Sequence, residues 1–531
     1  MSFPIRAVAA SAAFSLFSTL VAQAGLAVEA EPTAPADARA LGVASIRAED
    51  LRKHAFFFAG DECEGRFTST KGQRLAAEYI AKHLESLGFE PLGDLDEAGK
   101  RSFFQTWPIE AITVDERTAL VSIAGEDAPS GFALLPGSEI GSVDVEGEIL
   151  DCGYGARSTL PETIEKGQIP FVMLRTKTQG RLPVEAQMMT GIGALQKAQA
   201  IASQLVRRGA PCVIFGVSTD DSGLNDFLNY AGMAPGKPLI AYDGDNGVAD
   251  LISGRNPKNP CVFLSRDLTA RVLRGLGHSI EGDAVVRGEG DPKKLAARVR
   301  LDLSEGPSVA WNVCAVLKGS DPQLAAEAVV YSAHMDHMGK RHDGKIFRGA
   351  DDNASGSSAL CEVAEAFAKS GPRRRSVIFL AVAGEEEGLW GSKFYSENPT
   401  WPVEQLVANI NIDMIGRIAD LSGADEISIT PSDRHRKFSS IGRLATDLAG
   451  AHGLSLTNGD KFYERSDHYN FATKGIPVVF FCDGEHEDYH QVTDSADKLE
   501  YGKIERVARL AFDVGVGVAD AADRPTVLGR Q

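Results

Sequence analysis

The chain has 531 residues, of which 43% are hydrophobic and 24% are charged, and its formal net charge is −18 at pH 7. This length and composition are those of a soluble globular protein with room for two or three domains. The excess of negative charge argues against nucleic acid and anionic membrane surfaces as partners, because both would repel it.

The first residues are typical of an export signal. Arg6 supplies a short positive region, residues 7–21 an apolar stretch, and residues 22–24 (Ala-Gln-Ala) a cleavage site, with 28–30 as a second candidate site. No other segment approaches about 18 consecutive apolar residues, so no stable membrane insertion is expected. We therefore predict a signal peptide at 1–24, a spacer at 25–45, and export to the periplasm or the medium.

The next part of the chain shows two different sequence patterns. Residues 69–88 carry apolar side chains at helical spacing and stop at Gly88, which predicts an amphipathic helix. Short β-like runs separated by Gly and Pro turns fill residues 127–286, with one helix at about 194–208. They predict a β-rich module inserted between an N-terminal part at 46–126 and the main part of the domain at 287–531.

From residue 298 onward, buried strand patterns alternate with amphipathic helices. Such alternation predicts an α/β fold with a mostly parallel central sheet that is covered by helices on both faces. The last strand is predicted at 476–482, and a closing helix at 497–521.

The cysteine pattern indicates no zinc framework, because the chain contains no C-x-x-C pair. Cys314 and Cys361 lie in apolar-patterned segments and are predicted to be small core residues. An exported chain could form one or two disulfides, but the sequence does not specify which cysteines would pair. The seven cysteines are Cys63, Cys152, Cys212, Cys261, Cys314, Cys361 and Cys482.

Acidic and histidine residues gather where the predicted strands end, and in open α/β sheets these ends form the ligand crevice. Imidazole and carboxylate groups bind zinc, and two zinc ions roughly 3.5–4 Å apart can share a carboxylate and a water. A carboxylate that is not a ligand would then move the proton of that water to the leaving amine. The residues concerned are His334, Asp336, His337, Asp351, Asp352, Glu385, Glu386, Glu387, Asp413 and His490.

The motifs in this region resemble those of the secreted di-zinc (co-catalytic) aminopeptidases, the family of the bacterial leucyl aminopeptidases and aminopeptidase Y. The motifs are H-x-D, G-A-x-D-N-x-S-G, E-E-x-G-L-x-G-S, D-M-x-G and Y-H, in the family's order between residues 329 and 497. Segments near Asp61 and Trp311 are also similar to family segments. The resemblance implies that the insert at 127–286 is a protease-associated (PA) domain.

The resemblance also implies two zinc ions per chain and a ligand for each position. His334 and Asp413 would hold one zinc, Glu386 and His490 would hold the other, and Asp352 would bridge the two. A cis peptide bond is expected after Asp352.

Three further residues are implied to take part in catalysis. Glu385 would be the general base, and Tyr489 would donate its hydroxyl to the developing oxyanion. Asp336 would accept a hydrogen bond from His334 and so fix its tautomer. The S-D-H stretch at residues 466–468 is expected to support the site from below the pocket.

Several neighbours of these residues are predicted to have no direct role. His486, Glu487 and His490 spell H-E-x-x-H, a zinc pattern that requires a helix, but the flanks favour a strand, a turn and a loop. His486 and Glu487 are therefore predicted to be loop residues that complete the pattern by accident. Asp351 is predicted to be a variable position, Glu387 a bystander, and His337 to face away from the metals.

The predicted function is an exopeptidase that hydrolyses N-terminal residues from peptides, because the acidic cluster would orient the α-ammonium of a free N-terminus. A dipeptidase or carboxypeptidase of the same fold stays open, but it would need an arginine for the terminal carboxylate, and the sequence places none at the site. A one-zinc glutaminyl cyclase and a non-catalytic receptor-like homologue are disfavoured, since all five ligands are present.

Overall fold

The computed structural model describes residues 36–135, 141–158, 160–175, 184–219, 224, 228–229, 232–245, 259–282, 284–289 and 293–528. The predicted signal peptide at 1–24 lies outside these ranges. Within them, no helix is both long enough and apolar enough to cross a membrane.

The described residues alternate between helices and strands. The helices are α1 (Ala36–Ser45), α2 (Ala48–Phe58), α3 (Lys71–Ser86), α4 (Val184–Arg207), α5 (Arg266–Leu276), α6 (Gly356–Lys369), α7 (Trp390–Glu397), α8 (Ser440–Ala449), α9 (His468–Thr473) and α10 (Tyr501–Asp520). The strands are β1 (Glu90–Pro91), β2 (Phe104–Val114), β3 (Leu120–Ile123), β4 (Glu126–Ala128), β5 (Phe132–Leu135), β6 (Ser142–Asp151), β7 (Gln168–Met173), β8 (Val213–Gly216), β9 (Leu239–Ala241), β10 (Cys261–Leu264), β11 (Ser279–Glu281), β12 (Ala284–Val286), β13 (Ala296–Leu317), β14 (Ala328–His334), β15 (Ser376–Val382), β16 (Leu406–Ile412), β17 (Glu426–Thr430), β18 (Ser455–Asn458) and β19 (Val478–Cys482).

The central sheet is built around four parallel strands in the order β15–β14–β16–β19. Every residue of these strands is buried, which is why their sequences are continuous apolar runs rather than alternating patterns. Antiparallel pairs extend the sheet, with β13 beside β15 and β17 beside β19. The predicted α/β fold with a mostly parallel centre is confirmed, and its outer strands are antiparallel.

Successive side chains of a strand point to opposite sides, so these buried strands have two apolar faces. Helices pack on both of them. On one face, Tyr331 and Phe379 belong to a large core that includes residues of α2, α3, α6 and α10. On the other face, Val330 packs with Tyr395 of α7 and Phe471 of α9. The carboxyl ends of the four parallel strands are thereby held on a rigid support.

A second sheet has the strand order β4–β3–β13–β6–β7–β8–β10–β5. Strand β13 belongs to both sheets: residues 296–302 pair with β6, whereas residues 303–313 pair with β2. The second sheet therefore extends on both sides beyond the predicted insert at 127–286, because β3 and the first part of β13 belong to it.

The predicted spacer at 25–45 is wrong for its second half, because residues 36–45 form α1. The side chain of Arg39 pairs with Asp513 of α10 at 2.9 Å. Gly42 lies so close to α10 that a Cβ there would be 2.9 Å from the ring of Phe512. The Pro- and Ala-rich composition of this region gave no signal of these long-range contacts.

All seven cysteines lie in the described residues, and all are buried free thiols. Cys314 and Cys361 are 0% and 1% exposed, which confirms that they are core residues. No disulfide joins any pair of the seven.

Close packing of α10 on the sheet gives a first prediction. The ring of Tyr331 faces Gly515 of α10, and its hydroxyl donates a hydrogen bond to the carbonyl of Ala511 at 2.7 Å. A Cβ at position 515 would lie 1.7 Å from the hydroxyl oxygen. We expect Gly515→Ala to lower the free energy of unfolding by about 1–3 kcal/mol, because a fully buried ring must move.

The control is Gly502→Ala on the same helix, where a new Cβ meets nothing within 4 Å. It should raise the free energy of unfolding by about 0.5–1 kcal/mol, since alanine is the better helix former. Urea midpoints of the two variants measure the difference, and shifts of the same sign and size would contradict this packing.

Candidate metal centre

The side chains of the candidate site come from the carboxyl ends of the four parallel strands. His334 is the last residue of β14. Glu386 follows β15, Asp413 follows β16, and His490 lies on the loop after β19. Asp352 lies on the turn that precedes α6, and its peptide bond to the next residue is cis, as the resemblance implied. Because parallel strands end at one edge of the sheet, these loops meet there.

One group of potential ligands consists of His334, Asp352 and Asp413. Nε2 of His334 lies 3.1 Å from Oδ1 of Asp413 and 3.3 Å from Oδ1 of Asp352. One ligand atom from each of the three residues lies within 4.8 Å of the others, and all three residues are buried. Imidazole and carboxylate atoms this close together can bind one cation.

A second group shares Asp352 with the first. Nε2 of His490 lies 2.9 Å from Oδ2 of Asp352 and 3.1 Å from Oε2 of Glu386. The two oxygens of Asp352 therefore face histidines on opposite sides. This is the arrangement that a carboxylate needs in order to bridge two metal ions.

His337 joins this second group, so the prediction that it faces away from the metals is wrong. Its side chain is fully buried, and its Nδ1 contacts Oε1 of Glu386 and lies 3.9 Å from Oδ2 of Asp352. The prediction assumed that adjacent residues point to opposite sides, as in a strand. Strand β14 ends at His334, so this alternation no longer applies.

Carboxylates dominate the electrostatics of the two groups. Burial, the largest influence, lowers the pKa of His490, but Glu386 and Asp352 together raise it to about 10. Burial also lowers the pKa of His334, and Asp413 leads the contacts that raise it well above its ordinary value. Such a concentration of buried negative charge is a favourable environment for cations.

Asp336 holds the loop that carries Glu385. Its Oδ1 accepts the N–H of Glu385 at 3.4 Å, and its Oδ2 accepts the hydroxyl of Thr68 at 3.0 Å. The oxygen of that hydroxyl accepts the N–H of Gly384 at 2.9 Å. The predicted contact of His334 with Asp336 is made to the backbone: Nδ1 of His334 lies 3.3 Å from the carbonyl oxygen of Asp336 and 3.7 Å from Oδ1 of its carboxylate.

Glu385 itself belongs to neither group of potential ligands. Its Oε2 lies 3.8 Å from Nε2 of His334. Burial raises the pKa of Glu385 well above its ordinary value, although His334 opposes this effect. A raised pKa increases the proton affinity of the carboxylate, which a general base requires.

The S-D-H stretch supports the site from below, as the sequence predicted. The hydroxyl of Ser466 donates a hydrogen bond to Oδ2 of Asp413 at 2.8 Å, and the side chain of Asn411 donates to Ser466 at 2.9 Å. Ser332 in turn donates to Asn411 at 2.6 Å. This buried series fixes the second oxygen of Asp413 and leaves its first oxygen facing His334.

A cavity opens onto these groups. The ring of Tyr489 stacks on His490, with 3.7 Å between ring centroids. Arg465 pairs with Glu485 at 3.0 Å and was missed by the sequence analysis, because its loop has no periodic pattern. The cavity is lined by Asp352, Glu385, Asp413, Met414, Phe462, Arg465, Phe480, Cys482, Glu485 and Tyr489.

The H-E-x-x-H stretch is a turn and not a helix, and Glu487 is exposed. His486 therefore lies on a loop, as predicted, but its side chain is buried and faces that of Asp351, with 3.2 Å between Nε2 and Oδ2. Burial lowers the pKa of His486, but contact with Asp351 outweighs this and raises it overall. The carboxylate partner of His486 lies far away in sequence, so no local pattern indicated the contact.

The chain matches the model of peptidase family M28 over residues 312–515, a range that contains every predicted metal ligand. This part of the chain is similar to the peptidases of family M28.

Individual relatives extend the similarity beyond that range. Aminopeptidase YwaD of Bacillus subtilis is 28% identical over 430 residues, which cover 77% of this chain and 84% of that protein. A probable zinc metalloprotease of Pyricularia oryzae is 26% identical over 322 residues, which cover 52% of this chain and 62% of that protein. The solved structure of BSAP, a zinc aminopeptidase from Bacillus subtilis, has a TM-score of 0.53 at 18% identity and covers 90% of this chain and 96% of that one. It supports the fold described above.

The role of Thr68 in holding this loop gives a second prediction. Thr68→Val keeps the shape of the side chain but leaves the N–H of Gly384 and Oδ2 of Asp336 without their hydroxyl partner. We expect kcat for peptide hydrolysis to fall by about 10-fold, because the loop that carries Glu385 is loosened, and Thr68→Ser to restore most of it.

Thr269→Val in the second sheet is the matched control. Thr269 is fully buried, and its hydroxyl oxygen accepts the N–H of Val217 at 3.1 Å, far along the chain from the site. The control should lose stability but keep its kcat. Steady-state kinetics on the three variants measure this, and equal losses of kcat in both valine variants would contradict the positioning role.

Proposed function

We propose that this protein is a zinc-dependent aminopeptidase of family M28, which hydrolyses N-terminal residues from peptides with two zinc ions per chain. The observation that carries the proposal is the position of Asp352, whose Oδ1 lies 3.3 Å from His334 and whose Oδ2 lies 2.9 Å from His490. The names of relatives, which include a zinc aminopeptidase and probable zinc metalloproteases, support it.

The donor set fits zinc, which binds imidazole nitrogen and carboxylate oxygen. His334 and Asp413 would hold one ion, Glu386 and His490 the other, and Asp352 would be shared. Zinc held by these residues would supply Lewis acidity for activating a water and polarising a carbonyl.

The other residues would act on protons and on the substrate. Glu385 would take the proton of the attacking water and deliver it to the leaving amine, because it is close to the first group without being part of it. Thr68 and Asp336 would hold Glu385 in place by accepting the backbone N–H groups of Gly384 and Glu385. Tyr489 would donate its hydroxyl to the oxyanion as it forms at the cavity.

An N-terminal substrate suits the charges of the site. The buried carboxylates would attract an α-ammonium group, and the apolar wall of Met414, Phe462 and Phe480 would surround the first side chain. A carboxypeptidase or dipeptidase would need an arginine to bind the terminal carboxylate. Arg465 is the arginine of this cavity, but its charge is already paired with Glu485, which favours the aminopeptidase.

The second sheet with its loops would be a PA-like domain that shapes access to the cleft. Asp245, on the segment after β9, accepts a hydrogen bond from the indole of Trp390 at 3.0 Å, and Trp390 follows the glutamate loop closely. The side chain of Asn229 donates to the carbonyl of Met338 at 2.9 Å, next to His337.

Residues 1–24 would direct export to the periplasm or the medium.

Metal removal and Glu385 provide a third prediction. Purified protein should contain about two zinc ions per chain, a chelator should abolish turnover of aminoacyl anilides, and added zinc should restore it. Glu385→Gln should keep both ions but lose about 100-fold or more in kcat, because an amide cannot carry the proton. Full activity in this variant would remove Glu385 from its role, and a single zinc would favour a cyclase-like site.

Glu387→Gln is the matched control for this substitution. Burial raises the pKa of Glu387, and glutamine keeps the size and shape of this side chain. We expect this variant to keep its zinc and to remain within about three-fold of the wild-type kcat.

Blocked peptides provide a fourth prediction. Acetylation of the N-terminus should abolish hydrolysis of a short peptide, whereas amidation of its C-terminus should change kcat/KM by less than about three-fold, because only the α-ammonium is recognised. Product analysis by mass spectrometry measures both. The opposite pattern, with a raised KM in Arg465→Leu, would indicate a carboxypeptidase instead.

A further inference from the structure

A buried polar cluster lies directly behind the metal centre and outside both ligand groups. It consists of Asp351 and Asp494, which are completely buried, and His486, whose side chain is 3% exposed. None of these residues has a role in the proposed mechanism. Each, however, belongs to a loop that carries one of the ligands.

Asp494 binds the turn that carries the shared ligand. Its carboxylate accepts the N–H of Asp351 at 2.9 Å and the N–H of Asp352 at 3.2 Å. Asp494 itself lies on the loop of His490. Two hydrogen bonds between backbone and carboxylate therefore fix the position of the Asp352 turn relative to the His490 loop.

Asp351 binds the other two loops. Its Oδ1 accepts the N–H of Gly416 at 2.7 Å, and this glycine follows Asp413 on the loop after β16. Its Oδ2 faces Nε2 of His486 at 3.2 Å. The Asp351 carboxylate is thus shared between the loop of Asp413 and the loop of His490.

The tautomer of His486 suits this contact. Its Nδ1 accepts the N–H of Asp488 at 3.2 Å. A ring nitrogen that accepts carries no hydrogen, so the proton of the neutral ring is on Nε2. The hydrogen on Nε2 therefore faces Asp351 without the ring being charged, in a polar contact of 3.2 Å rather than an aligned hydrogen bond.

We propose that Asp351, His486 and Asp494 are positioning residues, which hold the loops of Asp352, Asp413 and His490 at the spacing that metal binding requires. This inference rests on the metal centre of the proposed function. Residues that orient ligands from behind commonly change metal affinity or activity by about 10–100-fold when they are replaced. The first histidine of the H-E-x-x-H stretch thereby acquires a role, although it binds no metal itself.

The test measures zinc retention by the full-length, zinc-loaded protein against increasing concentrations of a chromogenic chelator. His486→Leu removes the donor to Asp351 and should raise the zinc dissociation constant at least about 10-fold. His486→Gln should stay closer to wild type, because its amide nitrogen can still donate. If His486→Leu does not fold, Asp494→Asn gives the same test, since a neutral amide oxygen is a weaker acceptor than the carboxylate oxygen that accepts both N–H groups.

The matched control is His452→Leu. His452 and Asp513 form another buried pair, with 3.0 Å between Nε2 and Oδ2 and side chains that are 9% and 10% exposed. Neither residue contacts a ligand loop, so the control should lower the melting temperature but leave the zinc dissociation constant within about two-fold of wild type.

Two outcomes would overturn the inference alone: wild-type zinc retention in both His486→Leu and Asp494→Asn, or the same loss in His452→Leu as in His486→Leu. A wild-type protein that binds no zinc would overturn the metal centre and the proposed function with it. Retention is measured without peptide, so these failures can be told apart.

Discussion

One carboxylate, that of Asp352, is the point at which the two halves of the site meet. Its oxygens face His334 and His490, which come from β14 and from the loop after β19. This is feasible only because β16 lies between β14 and β19 in the sheet and all three strands run parallel. The turn before α6 then brings Asp352 over the gap between their ends. The buried parallel strands thus set the separation of the histidines, and the turn supplies the group that spans it.

Such a concentration of buried carboxylates must be balanced, because an unpaired buried charge is strongly unfavourable. The protein places a buried cation nearby: Arg66, with 1% exposure, on the segment before α3. Its guanidinium donates to backbone carbonyls on both sides of the site, with no carboxylate among its partners. Those carbonyls belong to Phe58, Met335, Arg348 and Gly349. Arg66 therefore joins the loop after β14 to the loop before Asp352, while its charge offsets part of the acidic field.

The side chains that meet at the strand ends could be predicted from sequence because each follows a buried strand or precedes a helix in a short local motif. The contacts of His337, His486 and Thr68 could not, because their partners lie far along the chain and depend on how the loops fold over one another. The ends of the second sheet were also missed, since β13 passes from one sheet to the other without any break in its strand pattern. The sequence therefore predicts the candidate ligands, whereas the residues that orient them can be identified only from tertiary contacts.

The shared strand β13 determines how the second sheet is connected to the central sheet. A hinge between two modules normally lies in a flexible linker with few crossing contacts. Here one side of the connection is a continuous strand of 22 residues, hydrogen-bonded to β2 over the middle of its length. Strand β9 adds to the far side of β2, and Asp245 just beyond it reaches Trp390 beside the glutamate loop. The second sheet is thus joined to the central sheet by the continuous backbone pairing of β13 rather than by a flexible linker.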